Sequence, residues 1–399
     1  MPIKTMVAPL RYVQGPGALA QLGAELEHLQ IERPLVLVSP SAKKAAGLAL
    51  GSALAAHGVS YSFIDFGGEC TRQEIERVKQ ACLSGGHDSI ISCGGGKCID
   101  TGRAAAAGDA FDVDRAEWVS LGAGVHCINV PTVAANDGAT SAAVVVYNDK
   151  HAPESKMLSR VNPTLVLVDT SIIAKSPVRL LVAGMGDALA SYFQANMCYR
   201  TGTPSEVTQS YTTRAARTLA RFNLDLLLSY GALAKSEAEV GVPGPALEAI
   251  CEATILVSGL SFENGGISAA HAVGQAFYHI PGYFEVPQFH GELVAFGTLC
   301  QLVMEESKPD LLDEIFGFCR SVGLPTTLAE MTLRGLDDEV LMEVAEVAAK
   351  DALIKSMPLA RREPDEAGYY YDSREVFVVI KATDAYGRAF AGGLRPRQG

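Results

Sequence analysis

Residues 89–97 read Ser-Ile-Ile-Ser-Cys-Gly-Gly-Gly-Lys, a short apolar run followed at once by three glycines and a lysine. A helical stretch from Cys98 to Ala107 comes next, so the segment predicts a buried strand that turns directly into a helix. Glycines at such a turn let the backbone approach a diphosphate, while the helix N-terminus offers unpaired N–H donors. Glycine-rich turns also arise for packing alone, and the segment is neither GxGxxG nor GxxxxGK[ST], so both interpretations stay open.

Similar apolar runs lie on both sides of this segment. They are Leu35 to Val38, Ser60 to Phe66, Cys127 to Val130 and Leu165 to Val168. Between two of them, Thr71 with Glu74 has the spacing that begins a helix, and Gly85-Gly86 predicts its end. Strands alternating with helices are typical of a parallel sheet with crossover helices. Ala142 to Tyr147 predicts a further strand or hairpin.

The second half of the chain has a different pattern. From Pro177 onward the apolar residues recur at helical spacing, in Thr208 to Leu228, Leu293 to Met304, Leu341 to Ile354 and Glu375 to Tyr386. A chain of 399 residues is long enough for two cores. We therefore predict an α/β domain over residues 1–172 and an all-α domain over residues 173–399.

Composition narrows the classes of partner and compartment. The net charge of −12 argues against a nucleic acid or an anionic membrane as partner, because both select clustered Lys and Arg. Nine dispersed cysteines without a CxxC pair indicate reduced thiols in the cytoplasm. The N-terminal segment has no apolar region typical of export, and we expect no membrane span.

Three side chains have the chemistry of a metal site. Asp187 lies in Gly-Met-Gly-Asp-Ala-Leu-Ala, His271 in Ala-Ala-His-Ala-Val-Gly and His290 in Gln-Phe-His-Gly-Glu. Two imidazoles and one carboxylate can hold zinc and leave a position open for a substrate oxygen. A histidine beside small apolar residues is more often a hydrogen-bonded core residue, so the residues alone leave this open.

A fourth candidate, Asp137, lies among small residues that follow a strand. The segment Pro131-Thr-Val-Ala-Ala-Asn-Asp-Gly138 should emerge at the carboxyl edge of the sheet, where open α/β folds bind ligands. A turn or helix-cap role is the alternative for Asp137. Residues 236–307 contain no Lys or Arg, whereas phosphate and carboxylate recognition normally recruits them. This indicates a neutral substrate, unless the other domain supplies the cation.

Taken together and in this order, the motifs resemble the iron-containing alcohol dehydrogenase superfamily, and within it the glycerol dehydrogenase branch. The resemblance rests on GGGKCIDTG at 94–102, PTVAANDGATSA at 131–142, GMGDALASYFQA at 184–195, GGISAAHAVG at 265–274 and HGELVAFGTLCQLV at 290–303. It implies a nucleotide-binding α/β domain, a helical domain and an active site in the cleft between them. It also implies hydride transfer between nicotinamide and a small neutral alcohol or ketone.

The resemblance assigns roles to individual positions. Asp187, His271 and His290 would bind the divalent metal, which is zinc with iron as the alternative, and Asp137 would lie beside the substrate. The cofactor, NAD with NADP as an alternative, would contact Gly94, Gly95, Gly96, Lys97, Cys98, Asp100, Thr132, Val133, Ala134, Ala135, Ser141, Ala143 and Tyr147. Members of the branch are commonly homo-oligomers, and we expect one here.

The sequence departs from the branch at two places that bear on specificity. Gly274 stands where a second histidine usually follows His271, and one extra residue lies in an aromatic-rich segment before His290. These changes predict a pocket that prefers a bulkier or less polar alcohol than glycerol, and the alternative is that His279 or Gln275 takes the place of the missing histidine. Ser39-Pro40-Ser41 has no acid to discriminate against the 2′-phosphate of NADP, so we expect NADP to be tolerated. The alternatives are a 3-dehydroquinate-synthase-like lyase, which needs Lys and Arg around its metal, and a non-catalytic relative that only binds the cofactor.

Overall fold

The structure is a computed structural model that describes residues 2–149 and 153–392. Its internal contacts divide the chain into two units. The sheet unit comprises Val7–Leu181 and Ser236–Leu260, and the helical unit comprises Met1–Met6, Val182–Lys235 and Ser261–Gly399. This division is less simple than the single cut after residue 172 that the sequence predicts, because residues 236–260 belong with the sheet.

Ten strands lie in the described part of the sheet unit. They are β1 (Arg11–Gly15), β2 (Pro34–Val38), β3 (Ser62–Asp65), β4 (Ser89–Gly94), β5 (Asp109–Asp112), β6 (Glu117–Ser120), β7 (His126–Pro131), β8 (Ala143–Tyr147), β9 (Pro153–Ser159) and β10 (Leu165–Asp169). Six of them form a parallel sheet in the order β1-β10-β7-β4-β2-β3. The other four form an antiparallel sheet in the order β6-β5-β9-β8.

The helices follow in chain order. They are α1 (Leu22–His28), α2 (Pro40–Ala56), α3 (Arg72–Ser84), α4 (Gly96–Ala106), α5 (Thr170–Ile173), α6 (Val178–Thr201), α7 (Arg214–Glu239), α8 (Pro245–Cys251), α9 (Ser258–Gly265), α10 (Ala269–Ala276), α11 (His290–Met304), α12 (Pro309–Val322), α13 (Asp338–Lys350) and α14 (Ser373–Ala391). The helical second half predicted from the sequence is confirmed.

The central strands form because their residues are apolar on both faces. Every residue of β2, β4 and β10 is buried, as expected for a parallel sheet covered on both sides. One core joins the sheet to α1 and α2, and a second joins it to α3 and α4. Thr71 caps α3 by accepting a hydrogen bond from the Glu74 backbone N–H at 3.2 Å. The predicted strands and the start of α3 are therefore confirmed.

Among residues 2–149 and 153–392, one helical run is long and apolar enough to cross a membrane. It extends over Pro245–Gly265 and consists of α8, a π-helical turn at Glu252–Val257 and α9. Of its most apolar window, 61% is buried inside the protein, as in the core helix of a water-soluble fold. In the sheet unit, Glu248 of this run bonds Gln14 of β1, accepting from its amide at 2.8 Å.

Candidate functional site

The carboxyl ends of two neighbouring parallel strands, β4 and β7, bring two groups of the predicted cofactor residues together at one edge of the parallel sheet. Gly94 at the end of β4 pairs with Pro131 at the end of β7, and Thr132 N–H donates to Gly94 O at 3.0 Å. A Cβ added to Gly94 would lie 2.8 Å from the Cys98 Cβ, so only glycine fits this turn. Gly95 precedes the first residue of α4 with an extended backbone. The glycine loop thus presents backbone N–H groups at a helix start.

Lys97 of this loop is already engaged by an acid and a ring. Its Nζ lies 2.7 Å from the Glu69 carboxylate and 4.6 Å from the centre of the Tyr147 ring. Two residues predicted to contact the cofactor, Lys97 and Tyr147, therefore lie together. Sequence reasoning did not single out Glu69, which no motif marks.

Two other predicted cofactor residues are part of the interior. Cys98 is 1% exposed and packs in the core beneath α4. Asp100 accepts a hydrogen bond from the Val145 backbone at 3.2 Å and forms an ion pair with Arg103 at 3.4 Å. Burial raises the pKa of the Asp100 carboxyl to about 6. Arg103, itself buried, donates to the carbonyls of Gly138 and Ala143.

Asp137 lies in the loop that Arg103 holds. The loop turns through hydrogen bonds from Thr140 N–H to Asp137 O at 2.9 Å and from Gly138 N–H to the Asn136 side chain at 3.0 Å. The Asp137 side chain is half-buried. The remaining predicted cofactor residues line β7, this loop and β8, and they are Thr132, Val133, Ala134, Ala135, Ser141 and Ala143.

In the helical unit, three helices bring Asp187, His271 and His290 together. Asp187 lies in α6, His271 in α10, and His290 is the first residue of α11. One ligand atom from each residue lies within 4.8 Å of the others. The carboxylate is 7% exposed and the imidazoles 14% and 33%, so the cluster is largely buried yet open on the side of His290. No other such cluster occurs among residues 2–149 and 153–392.

The distances within the cluster suit a shared cation. Asp187 Oδ1 lies 3.5 Å from His271 Nε2 and 3.6 Å from His290 Nε2, which is too long for direct hydrogen bonds. Ligand atoms about 2.0–2.2 Å from one tetrahedral zinc lie about 3.3–3.6 Å apart. Burial raises the pKa of the Asp187 carboxyl above its usual range, and a cation at the centre would hold it ionised. The residues therefore fit a divalent metal.

Close helix contacts at glycines set these distances. A Cβ on Gly291, next to His290, would lie 1.8 Å from Ala183 O in α6, and a Cβ on Gly186, next to Asp187, would lie 2.3 Å from Gly291 O. A Cβ on Gly297 would lie 2.0 Å from Ala270 O in α10. Because these glycines lack side chains, α11 lies directly against the backbones of α6 and α10.

Gly274 belongs to the same set of contacts. A Cβ there would lie 2.9 Å from Leu293 O and 3.0 Å from the Val294 Cα of α11. The interpretation of Gly274 as a space left for a bulkier substrate is therefore wrong, because the α11 backbone occupies that space. The sequence could not show in which direction residue 274 points.

Two neighbours of the cluster were not predicted as site residues. The Tyr278 ring is parallel to that of His290 within 7°, and its hydroxyl lies 3.4 Å from His290 Nδ1. Gln194 contacts the ring nitrogen of His271 that does not face Asp187, with its Oε1 3.0 Å from His271 Nδ1. Gln194 could have been found from its spacing, because it follows Asp187 by seven residues, which is two helical turns.

Comparisons with known proteins agree with this fold. The family model for iron-containing alcohol dehydrogenase matches residues 9–170. A glycerol dehydrogenase of Thermotoga maritima is 39% identical over 97% of this chain and 98% of its own. A probable glycerol dehydrogenase from Sinorhizobium meliloti 1021 superposes with a TM-score of 0.83 at 33% identity, over 97% of this chain and 100% of its own. Glycerol dehydrogenase from Schizosaccharomyces pombe gives 0.86 at 27% identity, over 100% and 95%.

These relatives define the class of protein. The chain is an oxidoreductase that acts on CH–OH groups. It belongs to the iron-containing alcohol dehydrogenase family, in the glycerol dehydrogenase branch. The comparisons do not favour the 3-dehydroquinate-synthase-like alternative.

Proposed function

We propose that the chain is a zinc-dependent, NAD-linked dehydrogenase of small neutral polyols or diols, with glycerol as the reference substrate. The single observation that carries the proposal is the spacing of Asp187, His271 and His290. Asp187 Oδ1 lies 3.5 Å from His271 Nε2 and 3.6 Å from His290 Nε2. The relatives called glycerol dehydrogenases support the substrate class.

The three side chains would hold the metal through Asp187 Oδ1 and the two Nε2 atoms. When bound, a divalent cation supplies a Lewis acid that stabilises negative charge developing on a hydroxyl oxygen at neutral pH. The spacing favours a tetrahedral zinc ion, while two imidazoles and a carboxylate also suit ferrous iron. Measuring the metal content of protein expressed with zinc and of protein expressed with iron distinguishes the two metals.

In the sheet unit, the glycine loop would bind the cofactor diphosphate through the start of α4, and Lys97 would add a positive charge. NAD accepts the hydride in alcohol oxidation. Ser39 lies beside the loop, since a Cβ on Gly94 would be 3.1 Å from its hydroxyl. Because Ser39 has no charge to repel a 2′-phosphate, NADP should be accepted as well as NAD, although we expect NAD to be the faster cofactor.

The proposed substrate is neutral because the segment that carries both histidines has no cation. Residues 236–307 contain no Lys or Arg to recognise a phosphate or carboxylate. Asp137 would accept a hydrogen bond from a second hydroxyl of a diol or triol. A monohydric alcohol lacks that hydroxyl and should be used less well.

The test measures NADH formation by the zinc-loaded protein with glycerol, 1,2-propanediol, 1-propanol and glycerol 3-phosphate. We expect the two polyols to be oxidised fastest and the phosphate ester to be inactive. Asp187→Ala, His271→Ala and His290→Ala should each lose zinc and turnover while NAD still binds. His279→Ala, at an exposed histidine that lies between His271 and His290 in the sequence, is the matched control and should keep both zinc and turnover.

Several outcomes would contradict the proposal. Full zinc content and near-normal rates in any of the three variants would remove that residue from the site. A preference for the phosphate ester or for 1-propanol would refute the neutral polyol.

The assignment to the cytoplasm is supported by nine free cysteines, all buried. The expected homo-oligomer is tested by light scattering of the purified protein, and a monomer would refute it.

A further inference from the structure

Gln194 is placed to control the chemistry of one of the two histidines. It lies in α6 two turns after Asp187, so both side chains project from the same face of the helix. Gln194 is 1% exposed. Its Oε1 lies 3.0 Å from His271 Nδ1 and 2.7 Å from the Ser268 backbone N.

The amide oxygen can only accept hydrogen bonds, so it requires a hydrogen on His271 Nδ1. A neutral imidazole with the hydrogen on Nδ1 keeps its lone pair on Nε2, and this is the atom that faces Asp187 at 3.5 Å. We propose that Gln194 is a positioning residue that fixes the tautomer and ring orientation of His271 for metal binding. This inference rests on the proposed metal site.

The second contact of the same oxygen ties the ring to the start of its helix. Ser268 immediately precedes α10, and its backbone N–H donates to Gln194. One buried oxygen thus holds both the first turn of α10 and the imidazole that this turn carries. Partners of this kind orient ligands, and their loss typically lowers metal affinity 10–100-fold.

The neighbour of His290 that corresponds to Gln194 is a hydroxyl rather than an amide oxygen. His290 Nδ1 faces the Tyr278 hydroxyl at 3.4 Å, which is longer than a normal hydrogen bond. A hydroxyl can donate or accept, so this contact suits either tautomer of His290, whereas the Gln194 oxygen selects one tautomer of His271.

The test compares zinc affinity, measured by competition with a chromogenic chelator, in three variants. Gln194→Met removes the acceptor at similar volume and should weaken zinc binding 10–100-fold. Gln194→Glu keeps an oxygen at Nδ1 and should bind zinc at least as tightly as the parent.

Gln301→Met is the matched control. Gln301 is fully buried, and its Oε1 accepts from the Ala270 backbone N–H in the first turn of α10 at 2.9 Å. This variant removes a comparable bond at the start of α10, but from a backbone group rather than the imidazole, so zinc affinity should stay within about threefold of the parent. An equal loss in the Gln194 and Gln301 variants would overturn the proposal, because the effect would then come from the helix start alone.

A second measurement needs no folded Gln194 variant. Imidazole ¹⁵N shifts of the metal-free parent, with His271 assigned from His271→Ala, should show the hydrogen on Nδ1. A hydrogen on Nε2, or unchanged zinc affinity in Gln194→Met, would overturn the proposal. These outcomes can be distinguished from an error in the proposed metal site. If His271 did not bind the metal, His271→Ala would bind zinc like the parent.

Discussion

Gly291→Ala tests whether backbone contact between helices sets the ligand spacing. The added Cβ would lie 1.8 Å from Ala183 O, whereas real Cβ atoms keep at least 3.0 Å. The start of α11 must then retreat from α6 by about 1.2 Å, because close-packed backbones cannot absorb the overlap. His290 immediately precedes residue 291, so this movement carries it away from Asp187.

The expected effect follows from the tolerance of metal bonds, which is about 0.2 Å. A displacement several times larger should lower zinc affinity at least tenfold, and the overpacking should cost about 1–3 kcal/mol of stability. Chelator competition and thermal unfolding of the metal-free protein measure the two effects separately.

Gly317→Ala is the matched control in α12. Its Cβ would meet only the Phe390 ring, at an ordinary 3.8 Å. Zinc affinity should not change, and stability should rise by about 0.5–1 kcal/mol because alanine favours a helix. If Gly291→Ala matches the parent in zinc affinity and unfolding temperature, the contact does not set the ligand spacing.

Four further predictions concern the sheet unit. Asp65→Asn should raise kcat/KM for NADP relative to NAD about tenfold, because it releases Lys43, whose Nζ is 2.6 Å from Asp65, toward a 2′-phosphate; an unchanged ratio would contradict this. In the parent itself, a preference for NAD beyond about a thousandfold, or about 4 kcal/mol, would refute NADP tolerance. Lys97→Met should weaken NAD binding in a fluorescence titration and leave zinc content unchanged, and equal NAD affinity would remove Lys97 from the cofactor site. Asp100→Asn tests the raised pKa of about 6: folding favours the protonated acid, so the parent should lose stability relative to the variant as pH rises from about 4 to 6. Parallel stability curves in urea would show that Asp100 titrates normally.

The central strands were predictable because continuous apolar runs identify strands buried on both faces. β6 and β9 were missed because their residues are polar or exposed at several positions, as expected near the edge of a small antiparallel sheet. The strand predicted at Ala142 to Tyr147 exists and pairs with β9, the next strand in the chain. Its membership of the second sheet depends on β9 also pairing with β5, which is more distant in sequence.

The site was predictable as a set of residue types and only partly as a geometry. Ligand chemistry made Asp187, His271 and His290 candidates, the family resemblance assigned them to a metal, and the structure brings them together. The glycine contacts that determine their spacing involve α6, α10 and α11, and a single sequence does not show which helices touch. For the same reason the interpretation of Gly274 was wrong, because a single sequence does not show that the α11 backbone lies against this residue.

The discontinuous sheet unit has a consequence for synthesis of the chain on the ribosome. Its last strand ends at Asp169, yet the unit also needs residues 236–260, whose Glu248 bonds Gln14 and Thr170. After residue 181 the ribosome must add about 80 residues, which takes about 4–16 s at 5–20 residues per second. During that interval the sheet unit lacks residues 236–260 and the hydrogen bonds of Glu248, so it should reach its full stability only after residue 260 has been translated.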